Sequence, residues 1–282
     1  MKKLSLLGIL SIAALGLGAQ NKENDTLKIR WKDSRIWIFD ATPAAKSDSA
    51  SKVPHVPGKK EFIHWGGLDL GVSMLTTIDN KVKLSDDLDT NDMNNFLNLD
   101  YGKSIFISLN LLEKNFRLYK NYINLVTGLG MEWNSYNFKK NITLNPDAPY
   151  IASSNSTFTP DSIKFSKNKL KVAYLKMPLL IELNTNSENP RRSFHISGGL
   201  EFAYKIGSRT KQKYEINGYD FKSSRRADYH LADFKYSSVI RVGYGDHVTL
   251  FANYGLSELF EANKTADDMD LFPLTTGISI DF

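Results

Sequence analysis

His195, Ser197 and Glu201 occupy alternate positions of one short segment, so on a β-strand they place a base, a hydroxyl and a carboxylate on a single face. Such a grouping is what activated-nucleophile hydrolysis of a peptide or lipid would use. Two more histidines stand apart, His247 alone and His230 beside Asp228 and Arg225-Arg226, and a lone loop histidine is more often solvated than catalytic or metal-bound. An acidic run, Asp79, Asp86, Asp87, Asp89, Asp92 and Asp100, could gather calcium, yet it lacks the glycine and closing glutamate of a defined calcium loop. A basic run, Arg209, Lys211, Lys213, Lys222, Arg225 and Arg226, offers donors to phosphate, although solvation explains it equally well. The chain has no cysteine, which excludes disulfides, thiolate zinc sites, a thiol nucleophile and a thiol-linked lipid anchor. No pattern asks for a cofactor or a metal.

The elements that must carry these residues are strands. Eight segments between residues 64 and 282 alternate apolar and polar residues with period two, and none has a helical period. One face carries Leu68, Leu70, Val72 and Met74; Ile105, Ile107 and Leu109; Leu129, Met131 and Trp133; Leu175, Met177 and Leu179; Phe194, Ile196, Leu200 and Phe202; Tyr236, Ile240 and Val242; Leu250, Ala252 and Tyr254; and Leu274, Ile278 and Ile280. The other face carries both signs of charge in equal number: Asp69, Glu132, Glu182, Glu201 and Asp281 against Lys103, Lys176, Lys205, Lys235 and Arg241. A hydrophobic content of 41% and a mean hydropathy of -0.33 exclude a bundle of membrane helices. They do not exclude a membrane barrel, whose alternating strands average out as soluble.

Three observations separate such a barrel from a soluble sandwich with the apolar face turned inward. Lys2 and Lys3, the apolar run over residues 4–17 and the small residues before Gln20 form a secretory signal, with cleavage expected after Ala19. Its removal lowers the formal charge from +5 to +3, too mild and too scattered for nucleic acid. Connections then alternate in length: residues 78–100, 139–168, 208–231 and 261–271 are long, while 113–120, 186–192 and 245–246 are shorter. Outer-membrane barrels pair long extracellular loops with short periplasmic turns in this way. Finally, Phe194, Tyr244 and Phe282 sit at the short-turn ends of the apolar faces, and Trp133, Tyr204, Phe234, Phe260 and Phe272 at the long-loop ends. These predict two aromatic girdles at the membrane interfaces.

The reading is therefore all-β: an eight-stranded antiparallel transmembrane barrel over residues 61–282. Ahead of it come a signal peptide (1–19), a periplasmic β-hairpin (20–40) built on residues 27–39, and a flexible Ala/Ser/Pro/Lys-rich linker (41–60). Trp31 and Trp37 of the hairpin could contact a periplasmic partner by strand addition, or the hairpin could plug the barrel mouth.

The last residues, with Thr275, Gly277, Ile280 and Phe282, resemble the C-terminal signal read by the barrel assembly machinery. The segment Tyr174-Leu175-Lys176-Met177-Pro178-Leu179-Leu180, with the long loops, resembles the PorT-like outer-membrane β-barrel family of Gram-negative bacteria. The likeness covers about residues 64–282. It implies a non-enzymatic outer-membrane protein whose partners are outer-membrane lipids, lipopolysaccharide, the assembly machinery and, for some members, a secretion system.

Within an eight-stranded barrel there is room only for the barrel's own side chains. The interior charges are thus expected to form an ion-pair network rather than an ion path. Inward glycines Gly67, Gly71, Gly128, Gly130, Gly199, Gly243 and Gly277 make room for Phe106, Tyr174 and Phe251. Pro178 predicts a local bulge or an unpaired carbonyl. His195 and Ser197 follow a short turn, which puts them at the periplasmic end and favours packing over catalysis. Open readings are a structural or binding component with a periplasmic partner, a receptor for a ligand or polymer at the outer loops, a narrow pore and, last, a hydrolase.

Overall fold

The computed structural model describes residues 30–31, 34–35, 64–77, 97–153, 164–189, 192–216, 218–245, 248–265 and 270–281. The chain divides into two units, Met1–Gly58 and Lys59–Phe282. In the first, two short strands are described, β1 (Arg30–Trp31) and β2 (Ser34–Arg35), paired antiparallel with Trp31 opposite Ser34. The rest of the expected hairpin, Trp37, the signal peptide and the linker lie outside the described residues, as do His247, Phe282 and every acid of the acidic run but Asp100.

The second unit is built on eight strands: β3 (Gly67–Thr76), β4 (Ile105–Tyr119), β5 (Ile123–Asn137), β8 (Lys164–Asn184), β9 (Phe194–Ile216), β11 (Phe234–Tyr244), β12 (Val248–Gly255) and β13 (Phe272–Asp281). Each pairs antiparallel with both neighbours in the order β9-β11-β12-β13-β3-β4-β5-β8, and the β8–β9 ladder closes the ring. Four shorter pieces decorate the long-loop end: a 3-10 turn at Tyr101–Lys103, the small pair β6 (Leu144–Asn145) and β7 (Ala152–Ser153), and β10 (Tyr219–Arg226) on the edge of β9.

The alternation read from the sequence is the alternation observed. Leu70, Ile107, Met177, Leu200, Ile240, Leu250 and Ile278 are exposed on the outer wall, while Asp69, Ser108, Lys176, Glu201, Arg241, Thr249 and Ser279 are buried inside. Trp133, Tyr204 and Phe234 stand exposed toward the long loops and Phe194 and Tyr244 toward the short turns, where Tyr119 and Tyr122 join them. Phe260 departs from the expected girdle: it is buried within the loops.

Glycine leaves no room for a side chain at the β3–β13 seam. Gly71 faces Gly277 across β3 and β13. A Cβ at Gly71 would strike the Thr276 carbonyl oxygen, and one at Gly277 the Leu70 carbonyl oxygen.

Two connections differ from expectation. Residues 208–231, predicted as a loop, continue β9 to Ile216 and return as β10. With 21 and 23 residues, β8 and β9 are about twice the ~9–11 residues needed to cross a bilayer, so both rise well beyond it. At the opposite end, residues 113–119 belong to β4, leaving a turn at Lys120 and Asn121. Both have positive φ (44° and 65°), and the Tyr122 amide donates to the Tyr119 carbonyl at 2.8 Å, a tight I′ hairpin.

Pro178 is accommodated without a register shift. The β5–β8 pairing breaks across Gly128 and Leu129, opposite Pro178 and Met177, and resumes in the same register. The lapse in pairing opposite Pro178 takes the place of a bulge there, and a separate bulge falls at Leu111 in β4, between Asn110 and Leu112, next to the same stretch of β5.

Gly277→Val is expected to stop closure at the β13–β3 seam. Loss of the fast-migrating unboiled species on a heat-modifiability gel checks this, and wild-type mobility would contradict it.

Candidate functional site

The interior is polar toward the short turns and apolar at the long-loop end. At its centre the Lys176 ammonium lies 3.5 Å from Asp69 Oδ2 and 3.1 Å from Glu201 Oε2. Arg241 completes the group by facing both oxygens of Asp69, Nη2 to Oδ1 at 3.2 Å and Nη1 to Oδ2 at 3.4 Å. Four strands, β3, β8, β9 and β11, thus meet through one buried cluster. Asn110 holds it in place by donating to Asp69 (3.0 Å) and to the Trp65 carbonyl (2.8 Å). Aromatic faces border the cations: Lys176 lies 5.4 Å from the Trp65 ring centre and Arg241 5.8 Å from that of Phe251. Above it, Lys235 pairs with Glu132, which also accepts from Asn134 at 3.0 Å, and Lys235 sits 4.8 Å over the Tyr174 ring.

Toward the short turns, residues 64–66 enter the barrel ahead of β3. The Trp65 ring rests against Gly128, at 2.7 Å from where a Cβ would stand. His64 stacks on His195 with ring centres 4.0 Å apart and planes within 6°. Its Nδ1 lies 3.2 Å from Glu182, which accepts from Asn184 at 2.7 Å. The neighbouring chain runs His195 to Thr249 (3.0 Å), and Thr249 donates to Asp281 (3.2 Å), which also accepts from Ser279 (3.0 Å).

Glu113 ties this segment down. Its Oε2 accepts the backbone amides of Trp65 (2.9 Å) and Gly66 (2.8 Å). The bulge at Leu111 makes this possible: Leu111 and Leu112 both face out, so the residue after them turns inward although the earlier parity of β4 would send it to lipid.

Of the ten predicted network residues, nine face the interior, and eight of these are buried within it. Lys103 is corrected: it belongs to the 3-10 turn, its side chain is 73% exposed, and it pairs locally with Asp100 at 2.7 Å. Lys205 faces inward but at the outer mouth, where it pairs with Asp228 and, at 3.2 Å, with Asp233 rather than with interior carboxylates. His64 and Glu113 were missed. The doublet Leu111-Leu112, followed by apolar Phe116 and Leu118 on the other parity, was the available signal for Glu113.

The candidate His195, Ser197 and Glu201 grouping is distributed among different partners. His195 bonds Thr249, Glu201 pairs with Lys176 and accepts from Asn253 at 3.4 Å, and neither bonds Ser197. His230 is part of the loop packing, its Nε2 2.7 Å from the Ala148 carbonyl. Thr275 and Gly277 of the C-terminal segment face the interior of β13 while Ile280 faces lipid.

The outer mouth is filled by the loops themselves. Leu97, Leu99, Ile142, Leu144, Ile151, Tyr229, Leu231, Leu259, Phe260 and Leu271 pack onto the inward Leu75, Tyr136, Leu170, Val172 and Tyr174 in one apolar core. This cap is continuous with the barrel wall.

A closed ring of eight amphipathic strands with a lipid-facing belt and an ion-paired lumen defines a transmembrane β-barrel. The family model for the outer membrane protein beta-barrel domain matches residues 67–261, more than half of the chain, and the chain belongs to that family. Among solved structures it is similar to Ail, the attachment invasion locus protein of Yersinia pestis. That match has 10% identity over 77% of this chain and 99% of Ail, at a TM-score of 0.29. A comparison with curated proteins returns no match.

Lys176→Met leaves Asp69 and Glu201 facing each other without their shared cation, and breaking a buried pair costs about 3–5 kcal/mol. Urea unfolding of the refolded barrel should register that loss, and adding Glu201→Gln should recover part of it. An unchanged midpoint for the single variant would mean that the network does not hold the strands.

Proposed function

We propose that the chain is a non-enzymatic, non-conducting barrel of the PorT-like kind, acting as a binding component of the outer membrane. The apolar cap carries this reading. Its core lies across the mouth, directly above the Lys235–Glu132 pair and the Asp69, Lys176, Glu201 and Arg241 cluster. Apolar packing above and paired charges below leave little for a water-filled path to follow, which weighs against the pore alternative. The partnering of His195 and Glu201 with Thr249 and Lys176 weighs against the hydrolase.

A loop layer with its own core presents a fixed surface, and such a surface suits recognition better than mobile loops do. The tyrosine-to-leucine segment over residues 174–180 supports the PorT-like assignment. In this reading the N-terminal arm, with Trp31 and Trp37, is periplasmic, because β3 starts on the short-turn side. A periplasmic or secretion-system protein would engage it by strand addition.

Purified protein in planar bilayers is expected to give no steady conductance, and a sustained current of porin size would overturn the closed-lumen reading. For the arm, deleting residues 21–60 should abolish recovery of a periplasmic partner in a pull-down. Undiminished recovery would place the contact on the barrel.

A further inference from the structure

Above the membrane wall, β8, β9 and β10 form a three-stranded sheet with an unusual surface. Their registers set Lys171, Arg209 and Arg226 in one row, Lys169, Lys211 and Ser224 in the next, and Lys167, Lys213 and Lys222 in a third. Directly opposed residues share a face of an antiparallel sheet, so one surface carries eight cations in nine positions. Like charges placed opposite each other work against pairing. Among the described residues, the one carboxylate paired with any of the eight is Asp220, 3.0 Å from Lys213. At Lys169, which lies on the part of β8 beyond the membrane, burial and the neighbouring Lys171, Lys167 and Lys211 draw the ammonium down to about 8. Burial, Lys211, Arg209 and Lys167 lower Lys171 as well.

This cationic surface continues the lipid-facing wall. In β8 the outward parity runs from Leu175 and Ala173 to Lys171 and Lys169, and in β9 a register shift between Lys205 and Gly207 turns both Ile206 and Gly207 outward. Directly below the row of Lys171, Arg209 and Arg226, Ala173 faces Gly207 on one side and Trp133 on the other. These two small residues leave a groove of about 540 Å³, floored by Ile107, Trp133 and Ile206 and rimmed by Lys171, Arg209 and Arg226. A Cβ at Gly207 would meet nothing within 4 Å. Trp133 and Tyr204 mark the depth of the outer interface, so the rim stands at head-group level and the floor just beneath it.

An apolar floor under a rim of guanidinium and ammonium groups matches an acylated phosphate, with the chain below and the phosphate above. We propose that this groove binds a phosphorylated glycolipid of the outer leaflet, of the lipopolysaccharide class. Its phosphate sits among Lys171, Arg209 and Arg226, and its acyl chain lies against Ile107, Trp133 and Ile206. A soluble polyanion would use the cations but have no use for the floor, and it would gain nothing from their position at the membrane edge.

The test uses the full chain in phosphatidylcholine nanodiscs, titrated with bis-phosphorylated lipid A, with bound copies counted by native mass spectrometry. Wild type should retain lipid A, and Lys171→Gln/Arg209→Gln/Arg226→Gln should weaken retention by about tenfold or more. Dephosphorylated lipid A should bind both proteins equally weakly. Gly207→Trp, which fills the groove from an open position, should weaken lipid A binding and leave heparin binding to the same cations unchanged. Unboiled gel mobility verifies that each variant is folded. Wild-type retention by the triple variant overturns the site, and wild-type retention by Gly207→Trp overturns the acyl seat. Heparin binding without lipid A binding reassigns the surface to a soluble polymer. A failed titration leaves the closed lumen standing, since conductance tests that separately.

Discussion

Hydrocarbon offers no partner to a backbone amide, so a strand that crosses it must be paired on both edges. The β8–β9 ladder meets that demand by closing the ring, and most of the molecule's other features follow from closure at eight strands. A ring of this size has an interior that side chains must fill. Where the filling is charged, each charge needs a partner, because an unpaired ion in that space is costly. Lys176 between Asp69 and Glu201, with Arg241 across both oxygens of Asp69, is what this requirement looks like when four strands supply the groups.

Irregularities in the ladder have specific uses. The bulge at Leu111 reverses parity along β4 and delivers the Glu113 carboxylate to the two amides of the incoming chain, which lets Trp65 lie against Gly128. The shift in β9 places Ile206 and Gly207 side by side on the outer wall. In each case one extra residue sends a side chain where strict alternation would not.

The barrel was legible because lipid imposes the same apolar parity on every strand, and that regularity survives in the sequence from Leu68 to Ile280. The interior network was legible for the same reason, by subtraction. Lys103 was misplaced because it lies two residues ahead of β4, in the 3-10 turn, where strand alternation no longer applies, and its position shares the parity of the outward Ile105 and Ile107. The β9–β10 extension was read as a loop because residues 209–213 and 222–226 are polar on both faces, and the alternation that remains, Tyr214 and Ile216 facing Phe221 and Tyr219, is only two residues long on each strand. Its dipeptide Asn217-Gly218, a strong hairpin signal, was nonetheless present. The cap was not legible at all. Ile142, Ile151, Tyr229, Leu231, Leu259 and Phe260 have no common period, and they meet only through contacts between separate loops.

The cap also determines where foreign sequence can be carried on this protein. In many barrels a long outer loop is a free tether, but here the loops containing Ile142, Leu231 and Leu259 are part of a packed core, and an epitope spliced among those residues would have to displace it. The hairpin formed by β9 and β10 is different. Gly218, with φ of 80° and no atom within 4 Å of where a Cβ would stand, is exposed at its tip. A peptide displayed there would be held clear of the membrane on a rigid stalk of paired strands.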